Sequence, residues 1–161
     1  MEEQRHISVR DSLLGEASPY ISEAIPKELR SRPQWVVHRQ KVPFDPKTGR
    51  SASPTDLTTW GTFSEALERL KAGGYDGLGF VFCSADPFSG IDLDKCRNPE
   101  TGELTPEASA IVHHLEGYAE VSPSGTGVHI IVRGKLPESK RRGWIEAYSQ
   151  GRYFTVTGKA L

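Results

Sequence analysis

From Tyr118 to Gly158 the chain passes through four short strand-like segments, YAEVS, VHIIVRG, WIEAY and RYFTVTG, with only turns between them. Strands joined by short turns pair as hairpins, so this stretch commits the fold to a largely antiparallel sheet. Upstream, QWVVHR (34–39), GLGFVFC (77–83) and SGIDLDK (89–95) share the strand composition, the last two joined by a turn at SADPF. Two helices interrupt the strands. In TFSEALERLKAGG, Thr62 and Glu65 form a capping box, and Phe63, Ala66, Leu67 and Leu70 make one apolar face. In TPEASAIVHHLEG, Thr105 caps, Pro106 occupies the first turn, and Ala108, Ile111, Val112 and Leu115 face the core. IPKELRSR reads as a short helix with Pro26 near its start, and KVPFDPKTGRSASPTD as a long loop with a turn at KTG. The expected class is α+β, with helices packed on one face of an antiparallel sheet.

The 161 residues suit one domain. A net charge of −1 supplies no global basic field, so any nucleic-acid contact must come from local clusters. Cys83 and Cys96 match neither a disulfide framework nor a zinc knuckle, which points to a reducing, cytoplasmic setting. The N-terminus MEEQRHISVR is charged and lacks the apolar core of a signal peptide, and no apolar run reaches membrane-spanning length. Residues 1–22 have weak periodicity and read as an arm, poorly ordered or briefly helical, ahead of a domain over 23–161. The chain stops just after a strand, which suggests a piece of a longer protein.

Two constellations carry chemistry. Asp92 and Asp94 lie two apart in a strand pattern, so they project to one face, with Ile91 and Leu93 opposite. Paired carboxylates repel unless a cation neutralises them, and hard divalent ions take such oxygen ligands. The plainer reading is a strand end where two acids meet solvent and Lys95. Glu146, flanked by Ile145 and Ala147, is a third acid in an apolar strand, at an edge or facing a site. If its strand lies beside that of Asp92, the carboxylates converge. The second constellation is SPSGTGVHIIVRG. Ser122 to Gly127 could turn N–H groups toward a phosphate, or form only a tight turn. His129, on the same face as Gly127 and Ile131, could bond a phosphate or be a core histidine satisfied by a carbonyl. SKRR (139–142) reads as a solvated hairpin tip that could also meet a phosphate backbone, and Arg152 opens the last strand, six residues after Glu146.

The order Asp-x-Asp on a strand, then SGTGVH, then IEAY and GRYFTVTG resembles the archaeo-eukaryotic primase superfamily, above all the primase-polymerase domains of phages and plasmids. The similarity extends over roughly residues 34–158, including KVPFDPKTGRSASPTDLTTWGTFSEAL and GLGFVF. It implies an RRM-like antiparallel sheet with packed helices and a small N-terminal α/β unit. It implies catalytic, metal-binding roles for Asp92, Asp94 and Glu146 with Mg²⁺ or Mn²⁺, where Glu146 replaces the usual Asp. It also implies nucleotide contacts from Ser124, Gly125, Thr126, Gly127, His129 and Arg152, with Gly127 where many relatives carry Ser. A single-stranded template would meet Lys41, Lys47, Arg50, Lys140, Arg141 and Arg142, and Tyr148 and Tyr153 would touch sugar or base or simply pack. Primer, dNTP or NTP, and a helicase domain in the longer protein are the implied partners, with no membrane.

Two rival enzymes fit less well. Toprim primases place a Glu ahead of Asp-x-Asp, the reverse of the order here, and a rolling-circle nuclease needs His-apolar-His, which adjacent His113 and His114 do not supply. The remaining alternative is a primase-like module that binds nucleotide or DNA without polymerising.

Overall fold

The structure is a computed structural model that describes residues 23–161; the expected arm over 1–22 lies outside the described residues. In chain order it contains α1 (Lys27–Arg30), β1 (Trp35–Arg39), β2 (Val42–Phe44), a 3₁₀ turn (Leu57–Thr59), α2 (Phe63–Lys71), β3 (Gly77–Phe82), β4 (Phe88–Leu93), α3 (Pro106–His114), β5 (Tyr118–Val121), β6 (Val128–Arg133), β7 (Lys140–Arg142), β8 (Ile145–Tyr148) and β9 (Arg152–Val156). The strands form two antiparallel sheets, a smaller one in the order β2-β1-β3-β9 and a larger one in the order β5-β6-β4-β8-β7. The class is α+β, as expected. The N-terminal unit of β1, β2, β3 and α2 is completed by the last strand, β9.

Three expectations change. First, β3 and β4 flank the SADPF turn but do not pair: β3 lies between β1 and β9, and β4 between β6 and β8. Asp86 makes this switch of sheets possible. Its buried carboxylate accepts from the backbone N–H groups of Cys83 (2.8 Å) and Phe88 (2.7 Å), from Gln34 Nε2 (2.8 Å) and from Lys135 Nζ (2.9 Å). Burial alone would raise its pKa, yet these donors hold it below the usual carboxylate value. Second, the SKRR tip is largely the edge strand β7, paired with β8 from Lys140↔Ala147 to Arg142↔Ile145. Its exposed cations suit an unpaired sheet edge. Third, the long loop contains β2, held against β1 by the register Val37↔Phe44.

Packing follows the apolar faces. Thr62 Oγ1 accepts from the Glu65 N–H, and Glu65 Oε1 accepts from the Thr62 N–H, closing the capping box of α2. Phe63 and Ala66 of that helix pack with Trp35, Val37, Leu78 and Phe80, the Trp35 and Phe63 rings meeting edge-on at 4.8 Å. The same core runs through Phe82 and Phe154 into Phe88, Ile131 and Tyr148 of the larger sheet. Close approach at this junction requires Gly90, because a Cβ there would stand 2.5 Å from the Phe154 ring. On its other face the larger sheet packs Leu93, Val128 and Ile130 against Ala108 of α3.

Candidate active site

Strand register assembles the site. Asp92 on β4 lies opposite Glu146 on β8 and His129 on β6, and His129 lies opposite Glu120 on β5. Arg141 on β7 lies opposite Glu146. Directly paired residues project from the same face, so Arg141, Glu146, Asp92, His129 and Glu120 form one polar row across five strands. Two residues along each strand, Tyr148, Gly90 and Ile131 occupy that same face and meet the smaller sheet. The row therefore emerges where the apolar junction ends. A cleft of about 560 Å³ opens there, lined in part by Asp92, Asp94, Ser124, His129, Lys41 and Arg152.

His129 is fixed from two directions. Its ring stacks on Phe154 at 4.6 Å and 24°. Its Nδ1 is 3.0 Å from the Thr155 carbonyl oxygen. A carbonyl only accepts, so Nδ1 carries a proton, and Nε2 is turned toward Asp92 Oδ1 at 3.6 Å. That separation is too long for a hydrogen bond and short enough for charge attraction. Behind the imidazole, Glu120 Oε1 stands 4.0 Å from Nδ1. Glu120 is buried and accepts from the Tyr118 hydroxyl (2.8 Å), Thr157 N–H (2.8 Å) and Gly158 N–H (3.0 Å). Burial still pushes its carboxyl above the ordinary range.

Asp92 differs in kind from Asp86. Burial raises its pKa first, Asp94 and Glu146 raise it further, and His129 and Lys41 pull only partly the other way. Asp94 follows the end of β4, where its N–H donates to the Trp144 carbonyl at 2.9 Å. Glu146 adjoins Asp92 in register, but its Oε1 is engaged by Arg141 Nε at 3.0 Å. Among the described residues, no three His, Cys, Asp or Glu side chains stand close enough together to hold a metal ion. The three acids thus share one electrostatic neighbourhood without forming a closed ligand cage.

The serine–glycine loop is internally bonded. The Gly125 N–H donates to the Ser122 carbonyl, that of Thr126 to Ser124 Oγ, and that of Gly127 to Ser122 Oγ. The Thr126 carbonyl accepts from Cys96 and Arg97, tying the loop to the end of β4. These amides are bonded within the loop, as in the tight-turn alternative, and Ser122, Pro123 and Ser124 line the cleft. Gly127 is required by space: a Cβ there would stand 2.7 Å from the Leu93 carbonyl. Any side chain at this position would require the backbone to shift.

The basic residues separate into groups. Lys41 and Arg152 reach the cleft, where the Arg152 guanidinium lies 4.7 Å from the centre of the Tyr148 ring. Lys47 is committed to Asp45 at 3.3 Å and to the carbonyls of Thr58 and Trp60. Arg50 is exposed beyond β2, and Lys140 and Arg142 are exposed on β7. Tyr148 and Tyr153 both line the cleft, and the Tyr153 hydroxyl donates to the Lys41 carbonyl. Sequence reasoning missed Glu120, Phe154 and Thr155. Glu120 carried a signal: like Glu146, it is an acid flanked by apolar residues in a strand. The Thr155 contact uses a backbone carbonyl, for which no side-chain pattern exists.

No family model matches the chain. A DNA primase-polymerase of Nitratiruptor phage NrS-1 is 37% identical over 146 residues, covering 84% of this chain and 20% of the relative. The chain therefore spans about a fifth of the length of the curated relative it matches. No helix among the described residues is long and apolar enough to cross a membrane. At this identity, over most of its length, the chain is similar to a primase-polymerase, and the archaeo-eukaryotic primase superfamily that its motifs resemble is consistent with that likeness.

Proposed function

We propose that the chain carries a template-dependent DNA primase and polymerase centre, joining dNTPs or NTPs to a 3′-hydroxyl during phage or plasmid replication. The observation that supports this most is the shared register of Glu146, Asp92 and His129 on three adjacent strands, with Asp92 and His129 lining a cleft. The donor chemistry fits a hard divalent cation, Mg²⁺ or Mn²⁺: oxygen ligands only, with Asp92 disfavoured as an anion by burial and by two neighbouring acids. Asp92 and Asp94 would hold it, joined by Glu146 once that side chain leaves Arg141. Bound there in a two-ion arrangement, such cations would supply Lewis acidity to the attacking hydroxyl and the departing pyrophosphate.

The chain's own groups do the positioning. With Nδ1–H held by Thr155, the His129 ring keeps its orientation, and in the imidazolium form Nε2–H donates to a phosphate oxygen. The internally bonded loop acts as a rigid bracket, from which the Ser122 and Ser124 hydroxyls donate to phosphate. Arg152 adds positive charge at the opposite wall. A single-stranded template would follow the exposed cations of β7 and Arg50, through contacts that track the backbone. A primer, and a helicase domain elsewhere in the longer protein, complete the proposed assembly. The pairing of Glu146 with Arg141 favours a second reading, in which the domain binds nucleotide and DNA without polymerising.

Extension of a labelled primer on a template with Mn²⁺, using dNTPs and NTPs separately, tests the proposal. Product that disappears in Asp92→Ala and Glu146→Ala supports the polymerase. Nucleotide binding without product in the wild-type chain supports the binding module, and neither binding nor product sinks both.

A further inference from the structure

The turn joining β1 to β2 consists of two residues, Gln40 and Lys41, between the register partners Arg39 and Val42. Both have positive φ, 49° and 64°. Two successive residues in the left-handed region are the backbone of a turn that normally carries Asn-Gly or Gly-Gly, because a Cβ is unfavourable there. Here two long side chains hold it. The turn is pinned at both residues: Asp76 Oδ2 accepts from the Gln40 N–H at 2.6 Å, and the Tyr153 hydroxyl donates to the Lys41 carbonyl. Non-glycine residues kept in this conformation by outside contacts point to a use for the side chain they display.

That side chain lines the cleft. Lys41 borders it together with Asp92, Asp94, Ser124 and His129, and its charge acts on Asp92. Among the described residues, no hydrogen bond or ion pair engages its ammonium. Lys47 and Lys135 contrast with it, each being tied to an aspartate and to backbone carbonyls. The cleft thus has acids and hydroxyls on the larger sheet and an uncommitted ammonium arriving from the smaller one. A polyanion that brings its own cations to the acids would place its remaining oxygens between these walls.

We propose that Lys41 is a phosphate-binding residue for a nucleoside triphosphate, and that the strained turn and Tyr153 position it. This rests on the nucleotidyl-transfer reading and separates Lys41 from the template contacts with which its sequence neighbourhood groups it. The phosphates set its target: a nucleoside monophosphate is too short to engage both walls.

Titration of the wild-type chain, Lys41→Ala, Lys41→Gly, Lys41→Arg and Tyr153→Phe with dNTP and with dNMP, each in Mn²⁺, tests this, alongside primed-template affinity and melting temperature. Lys41→Ala is expected to weaken dNTP binding about tenfold or more while dNMP and primed-template affinities change less than about twofold. Lys41→Gly should lose the same affinity yet melt at or above the wild-type temperature, since glycine relieves the turn. Lys41→Arg should recover part of the loss, and Tyr153→Phe should weaken dNTP binding by a smaller factor with Lys41 intact. Unchanged dNTP affinity in Lys41→Ala, or a loss confined to primed template, overturns the role of Lys41 alone. Absence of dNTP binding in the wild-type chain overturns the nucleotidyl-transfer reading as well.

Discussion

Asp86 and Asp92 are partly or wholly buried aspartates that the fold treats in opposite ways. Around Asp86, four donors converge on one carboxylate, and its pKa falls below the ordinary value. Around Asp92, burial and two further acids raise the pKa, and the nearest basic group, the His129 imidazole, stops at 3.6 Å. The first arrangement is complete and turns the chain from one sheet to the other. The second is incomplete and faces a cleft. A satisfied buried charge marks architecture, and an unsatisfied one marks a place kept for a ligand. Glu120 refines the rule: three donors surround it, yet its deeper burial still raises its pKa.

The largest difference between the two regions should appear on truncation. Asp86→Ala removes the carboxylate to which Lys135, Gln34 and two backbone N–H groups donate, leaving the Lys135 charge without its counterion, and should cost about 3–5 kcal/mol in denaturant unfolding. A loss under about 1 kcal/mol would remove the distinction between the two regions. The acid limb should differ in sign as well. Stability from Asp86 is present above the ordinary carboxylate pKa and is lost as pH falls through its lowered folded value.

Gly90→Ala separates packing from charge. The added methyl meets the Phe154 and Phe82 rings at the junction of the sheets, and should cost about 1–3 kcal/mol by thermal melting. Because Phe154 also backs the His129 ring, the variant should bind dNTP more weakly than its stability loss alone accounts for. Unchanged melting would mean that the two sheets are not held at this contact.

Asp92→Asn should move stability the other way. The raised pKa means that the ionised side chain disfavours folding at neutral pH, so the variant should melt a few degrees above wild type there. That gap should close as pH falls through the raised folded value toward the ordinary one, where both states of the wild-type chain become protonated. A variant less stable than wild type at pH 7 would show Asp92 to be structural, like Asp86.

The smallest effect on stability belongs to Arg141→Ala. The pair with Glu146 lies at an exposed edge, with Arg141 76% accessible, so unfolding should change by less than about 0.5 kcal/mol. Release of Glu146 should nevertheless raise Mn²⁺ affinity several-fold while lowering affinity for single-stranded DNA. Unaltered Mn²⁺ affinity would show that the ion pair does not compete with metal.

Local chemistry made much of this legible in the sequence. Thr62 with Glu65, and Thr105 with Pro106, announce their helices because capping is a contact between near neighbours. The strand segments are visible through apolar alternation. What stayed hidden depends on distant partners. The switch of sheets between β3 and β4 rests on Asp86 meeting Gln34 and Lys135, and no spacing within SADPF encodes that meeting. Val42–Phe44 and Lys140–Arg142 become strands because β1 and β8 offer them edges, not through their own composition. In the site, the pair Asp92 and Asp94 and the residue His129 stand out by pattern. Their alignment with Glu146 and Glu120 is a matter of register, which the turns and the neighbouring strands decide together.

The central claim, that the incomplete acid is the ligand-binding one, is tested most directly by following melting temperature during Mn²⁺ titration of the wild-type chain and Asp92→Asn. Binding to the folded state alone raises the melting temperature with metal concentration. The account predicts that Mn²⁺ progressively stabilises the wild-type chain, and that Asp92→Asn starts higher at neutral pH and no longer responds. Equal Mn²⁺-dependent stabilisation of both proteins would contradict it.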